Sequence, residues 1–148
     1  AALKPDDDSL KAWRTRAPLL NHHQWIAGEI ARARLRQQWA VLFREFDVVL
    51  CPPFSVVAFP HDQKPDQEQR TIDIDGETHP YLSLIVWSTV ATPPGLPATV
   101  MPVGRSKAGL PIGVQIIGPL FEDRTPLAFA ELLEREFGGF VRPPELQP

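Results

Sequence analysis

Three patterns in this sequence predict an α/β fold. Leu35, Trp39, Leu42, Phe43 and Phe46 recur at helical spacing, a stripe that one face of a long helix buries. Thr71-Ile72-Asp73-Ile74 alternates with a period of two and runs into Asp75-Gly76, a strand followed by a turn that accepts positive φ. Gly95-Leu96-Pro97-Ala98-Thr99-Val100-Met101-Pro102-Val103-Gly104 is followed by Gly109-Leu110-Pro111-Ile112-Gly113-Val114-Gln115-Ile116-Ile117-Gly118. Each opens with Gly-Leu-Pro around a short apolar core, so the two read as adjacent antiparallel strands joined through Arg105-Ser106-Lys107-Ala108.

The remaining elements follow in chain order. Asp6, Asp7 and Asp8 precede Ser9-Leu10-Lys11-Ala12-Trp13, and acidic residues suit a helix start because the helix dipole is positive there. Pro18 ends or kinks this first helix. Asn21 caps a second, which the apolar stripe carries to about Arg44. Arg32, Arg34, Arg36 and Arg44 surround that stripe and read as a solvated basic face. Asp47-Val48-Val49-Leu50-Cys51 is a short buried strand, stopped by Pro52-Pro53, whose nitrogens cannot donate to a ladder. Residues 54–59 form a second apolar, β-branched stretch, and the polar, breaker-rich residues 60–69 a surface loop. His79-Pro80 puts a proline at a plausible first helical position. Residues 81–91 are apolar nearly all round and predict a buried helix. Pro102 and Pro111 belong at strand starts or bulges. Thr125-Pro126 opens a last helix whose apolar side is Leu127, Ala130, Leu132, Leu133 and Phe137, with Gly138-Gly139 ending it and Pro143-Pro144 closing the globular part.

Composition narrows the class. The 148 residues are 43% hydrophobic, enough for a packed core and too apolar for a disordered tail. Net charge is −3, which argues against an electrostatic nucleic-acid footprint. No apolar run approaches the length of a membrane span. The single cysteine, Cys51, excludes an intrachain disulfide framework and fits a cytoplasmic location. Proline is abundant at 17 residues, about twice the usual share. The chain begins at Ala1 without an initiator Met and reads as a piece of a longer protein.

The two Gly-Leu-Pro segments, with Gly113-Val114-Gln115 and Glu122-Asp123, resemble the C-terminal part of the amidase signature family. Phe46-Asp47-Val48-Val49-Leu50-Cys51-Pro52 is similar to that family's strand following a long helix. His23-Gln24-Trp25, the arginine-rich helix, residues 70–76, Pro80-Tyr81 and Trp87 resemble one bacterial branch. The resemblance covers about residues 21–144. It implies the C-terminal fragment of an α/β/α sandwich with a mixed sheet. It also implies a division into a partial helical segment (1–20), the C-terminal portion of the amidase domain (21–144) and a tail (145–148).

Members of the family cleave or transfer amide bonds with one serine as nucleophile, a second serine on a cis peptide bond and a lysine. A serine hydroxyl is a poor nucleophile at neutral pH without an adjacent base, and the developing oxyanion needs fixed donors. In the family those parts lie in the N-terminal half, in a Gly/Ser-rich tract. Here the serines are Ser9, Ser55, Ser83, Ser88 and Ser106, and none has glycine on both sides. The resemblance therefore implies an amidase fragment with no catalytic residue in this chain, inactive alone, with no cofactor and with the missing N-terminal portion as its partner. Trp87 and Thr92 are its candidate substrate-pocket residues, since the segment approaches the family's cleft; Thr92 stands where the family often has Asn. Two other readings are a non-catalytic binding module on the same scaffold and the small subunit of a split amidase.

Other constellations carry less. Ser106-Lys107 are neighbours in a turn, where side chains point apart and lysine keeps its proton. His22-His23, His61-Asp62 and His79 lack zinc-like spacing. Cys51 reads as a small buried thiol. A partial sheet exposes an edge and a face, so a fragment folded alone is expected to self-associate.

Overall fold

A computed structural model describes Asp7 and residues 9–142. The predicted roles of Asp6, Asp8 and Pro143-Pro144, and the 145–148 tail, lie outside the described residues. Helix α1 (Leu10–Arg16) is capped by Ser9, whose hydroxyl accepts from the Ala12 N–H, and a short 3₁₀ turn at Ala17–Leu19 takes up Pro18. Helix α2 (His22–Leu42) starts in a capping box: the Asn21 side chain accepts from the Gln24 N–H and the Gln24 side chain from the Asn21 N–H. It stops two residues before the expected Arg44. Phe46 therefore lies beyond the helix and is exposed, while Trp39 and Phe43 stack at 5.6 Å and face the core.

Strands β1 (Val49–Cys51), β4 (Ala98–Arg105) and β5 (Pro111–Ile117) form one sheet in the order β1-β5-β4, and both pairings are antiparallel. β2 (Thr71–Ile74) and β3 (Glu77–Pro80) make a separate hairpin whose turn holds Asp75 at φ 55° and Gly76 at φ 86°. Both Gly-Leu-Pro motifs are the same backbone device. Gly95 (φ 71°) and Gly109 (φ 80°) turn through the left-handed region, and proline then hands the chain to a strand. Pro111 is the first residue of β5, and Pro102 borders a bulge between Pro102 and Gly104, as proline's missing N–H requires.

Helix α3 (Arg124–Phe137) packs on β4 and β5. Its N-cap is Asp123, so Thr125 and Pro126 sit two residues deeper than expected, and Gly138 ends it at φ 78°. The inward residues are Pro126, Phe129, Ala130 and Leu133, whereas Leu127, Leu132 and Phe137 are exposed. The expected stripe had the right period and too wide an arc.

Alternation along β5 decides the layers. Ile117 faces Ala91, Leu96, Trp39 and Phe43, and Ile116 faces the opposite side, where α3 packs; both are fully buried. The sheet thus has α2 with residues 81–96 on one face and α3 on the other. β1 differs from expectation: Leu50 remains 49% exposed because it lies beyond the cover of α3.

Residues 81–91 also depart from the predicted buried helix. A 3₁₀ turn at Tyr81–Ile85 gives way to successive turns, with mostly three-residue hydrogen bonds such as Val86 N–H to Ser83 O and Val90 N–H to Trp87 O. The Ser88 and Thr89 hydroxyls donate to the carbonyls of Ile85 and Val86, competing with a regular helix among β-branched neighbours. Leu84 and Ala91 are buried, while Ile85, Val86 and Trp87 are exposed. Pro80 closes β3 rather than opening a helix.

β5 meets α3 where Gly118 abuts Pro126: a Cβ on Gly118 would lie 2.5 Å from the proline Cδ. Gly118→Ala is expected to destabilise the fold by about 1–3 kcal/mol through overpacking. Gly104→Ala, where a Cβ meets nothing within 4 Å, should change stability much less. Urea unfolding of the two variants checks the difference.

Candidate functional site

Pro52-Pro53 turn the chain away from β1, and residues 54–59 follow as bends through Val57 and then irregular backbone, not as a strand. This segment lies against the Tyr81–Ile85 turn and the start of β5, lining an open cavity of about 590 Å³. The Ser55 hydroxyl donates to the Ser83 carbonyl at 3.1 Å and ties the two walls together. Phe59 meets Tyr81 edge-on at 6.1 Å, and the Arg70 guanidinium lies 5.6 Å from the Tyr81 ring centroid. Arg70 also donates to the Lys64 carbonyl, closing the 60–70 loop. Within that loop the Asp62 carboxyl is held below the ordinary carboxylate range, chiefly by the Lys64 backbone N–H, and is ionised at neutral pH.

The two candidate pocket residues do not share a cavity. Trp87 is 42% exposed, and its carbonyl accepts from the Gln115 amide at 3.2 Å. Gln115 is 4% exposed, and its amide also approaches the Cys51 Sγ at 3.2 Å, so a buried polar group of β5 fixes the Trp87 backbone. Thr92 is exposed beside a shallower hollow between α2 and Pro93. Thr92 and Trp87 therefore flank one loop from different sides.

What holds that loop is a pair of arginines that the charge pattern alone placed in solvent. Arg32 Nε donates to the Pro93 carbonyl and Arg36 Nε to the Pro94 carbonyl, both at 2.7 Å. The residues stand one helical turn apart, so their guanidinium groups reach consecutive carbonyls. Gly95 lies beneath them: a Cβ there would be 3.1 Å and 3.2 Å from the two guanidinium nitrogens. The four-residue spacing was visible in the sequence, but nothing local marked partners about sixty positions away.

Four of the five serines are engaged structurally through their hydroxyls. Ser9 caps α1, Ser55 and Ser88 donate to carbonyls, and the Ser106 hydroxyl accepts from the Leu110 N–H in the β4–β5 turn. Among the described residues no three His, Cys, Asp or Glu side chains come together to hold a metal.

The amidase family model matches residues 5–127. The chain belongs to the amidase signature family. Two relatives show how much of an amidase it represents. One subunit of the glutamyl-tRNA(Gln) amidotransferase of Wolbachia sp. subsp. Drosophila simulans (strain wRi) is 32% identical over 112 residues, 76% of this chain and 21% of that protein. The fatty acid amide hydrolase of Medicago truncatula is 32% identical over 120 residues, 81% of this chain and 19% of that protein. The chain thus spans about a fifth of the length of these relatives. The crystal structure of a bacterial aryl acylamidase of the amidase signature family matches with a TM-score of 0.67 at 23% identity, covering 89% of this chain and 26% of that one. The architecture is accordingly that of an α/β fragment of the amidase signature fold, as the Gly-Leu-Pro strands implied.

The arginine pair makes a direct prediction for this chain. Arg36→Ala is expected to lower unfolding free energy by about 1–3 kcal/mol, because it removes a charge-assisted hydrogen bond to a half-buried carbonyl. Arg34→Ala, on the exposed side of α2, should stay within about 0.5 kcal/mol. Thermal or urea unfolding distinguishes them.

Proposed function

We propose that this chain is the C-terminal portion of an enzyme that hydrolyses carboxylic amides. The observation that carries the reading is the family match over residues 5–127, on a chain equal to about a fifth of its relatives' length. The chemistry is the family's: one serine attacks the amide carbonyl, a second serine on a cis peptide bond relays its proton to a lysine, and backbone N–H groups receive the oxyanion. All of these residues belong to polypeptide outside this chain, which is its partner. The division into residues 1–20, 21–144 and 145–148 follows the same proposal.

Within this scheme the fragment completes the sheet and presents the loop that bears Trp87 and Thr92 to a small-molecule amide. The exposed apolar residues Leu50, Val86 and Trp87 fit a surface that the catalytic portion covers. The amidase needs no cofactor and acts in the cytoplasm. Among the described residues, no helix is long and apolar enough to cross a membrane.

The isolated 148-residue chain is expected to release no ammonia from benzamide, whereas the enzyme made from the full reading frame does. Turnover by the isolated chain that survives alanine at Ser9, Ser55, Ser83, Ser88 and Ser106 would overturn the division of labour. Light scattering coupled to size-exclusion chromatography should find the isolated chain self-associated at high concentration. A clean monomer would contradict the open sheet edges and the exposed apolar surface at Leu50, Val86 and Trp87.

A further inference from the structure

Residues 85–96 are wound into a compact body by their own backbone. The Thr89 N–H donates to the Ile85 carbonyl, Val90 to Trp87, Thr92 to Thr89 and Leu96 to Ala91, at 3.0–3.2 Å. That body meets the core through Ala91 and Leu96, both buried with Ile117. Apolar contact of this kind holds the loop down but has no direction, so by itself it lets the loop rock about the contact. Hydrogen bonds are directional, and two that come from regular elements remove that freedom. At one end Gln115 of β5, 4% exposed, donates its side-chain amide to the Trp87 carbonyl at 3.2 Å. At the other end Arg36 of α2 donates Nε at 2.7 Å to the carbonyl of Pro94, a fully buried residue. Arg32 repeats the contact at Pro93, but that proline is exposed and Arg32 also pairs with Glu29 at 3.6 Å, so water can stand in for it.

We propose that Gln115 and Arg36 are positioning residues: neither touches the amide, and together they set where the Trp87 and Thr92 side chains stand in front of it. The inference rests on the amide-cleaving reading, in which this loop faces the substrate, and deepens it. Trp87 keeps its side chain 42% exposed while two N–H donors hold its carbonyl, so the ring is presented from a fixed backbone. Gln115 does this only as an amide donor; methionine there has a similar length and leaves the carbonyl with one partner. Arg36 does it through a charged donor at the end of a long chain, a role that lysine keeps in part and methionine loses. A tilted loop alters contacts with the substrate away from its reacting carbonyl, which weakens binding more than it slows the chemical step. The signature is a raised KM at nearly constant kcat. A purely structural role would lower the melting temperature and leave the KM of the folded enzyme unchanged.

The test follows benzamide turnover by the enzyme from the full reading frame, well below its melting temperature. Gln115→Met and Arg36→Met should each raise KM about fivefold or more with kcat within about twofold, and Arg36→Lys should keep KM within about twofold of the parent. In a Trp87→Ala background, Gln115→Met should change KM by less than about twofold, because the ring through which it acts is gone. A second readout needs no turnover. In enzyme labelled with fluorotryptophan, the Trp87 fluorine resonance, assigned with Trp87→Phe, should shift or broaden in Gln115→Met and Arg36→Met and stay in place in Arg34→Met. A KM equal to the parent's in both methionine variants, or a Gln115→Met effect that survives the loss of the Trp87 ring, overturns the proposal while the amidase reading stands. A Trp87 resonance unmoved in both variants overturns it too. If the parent releases no ammonia from benzamide while the resonance responds, the amidase reading falls and Gln115 and Arg36 remain the residues that position the loop.

Discussion

Burial of two adjacent isoleucines on strand β5 governs this architecture. Among the described residues β5 alone is hydrogen-bonded on both edges, to β1 through Val49, Leu50 and Cys51 and to β4 along its whole length. Its last three residues serve both faces of the sheet. Ile117 is the centre of the core beneath α2, Ile116 is buried on the α3 face, and Gln115 reaches across to the Trp87 carbonyl. Neighbouring side chains on a strand must point to opposite faces, so burying both isoleucines requires a layer on each side. That requirement makes a two-layer packing impossible here and explains why α2 and α3 cannot share a face.

The second anchor is polar. The local backbone hydrogen bonds that close the turns of residues 86–95 do not reach the carbonyls of Pro93 and Pro94. Their carbonyls therefore need donors from elsewhere, which Arg32 and Arg36 supply from one face of α2. Gly95 allows the two guanidinium groups to approach the backbone closely. Gln115 holds the other end. A loop pinned at both ends by long-range hydrogen bonds keeps a defined position, and Trp87, whose carbonyl is one of the pinned points, keeps its side chain exposed.

Much of the fold was legible because it is local. The Asn21 capping box, the Asp75-Gly76 turn, the two Gly-Leu-Pro strand entries and the prolines at bulge and strand start all follow from backbone geometry that one residue type satisfies. The errors share a cause as well. The buried helix expected over residues 81–91, the fully buried β1 and the broad apolar face of α3 were each inferred from apolar content, as if each apolar residue had to meet a partner within this chain. Leu50, Val86, Leu127 and Leu132 do not. The solvated reading of Arg32 and Arg36 failed for the converse reason: a charge run looks the same in sequence whether it faces water or a distant carbonyl.

Residue order was therefore enough for the α/β class, the family and the lack of a Gly/Ser-rich serine tract in this chain, since turns, strand entries and motifs are written in neighbouring positions. Folding in three dimensions settled which carbonyls the arginines hold, that Gln115 fixes Trp87, and that residues 54–59 curl against the Tyr81–Ile85 turn to line an uncharged cavity. Those contacts join positions about 25 to 65 residues apart. Their energies depend on desolvation and reach, which no local window of residues encodes.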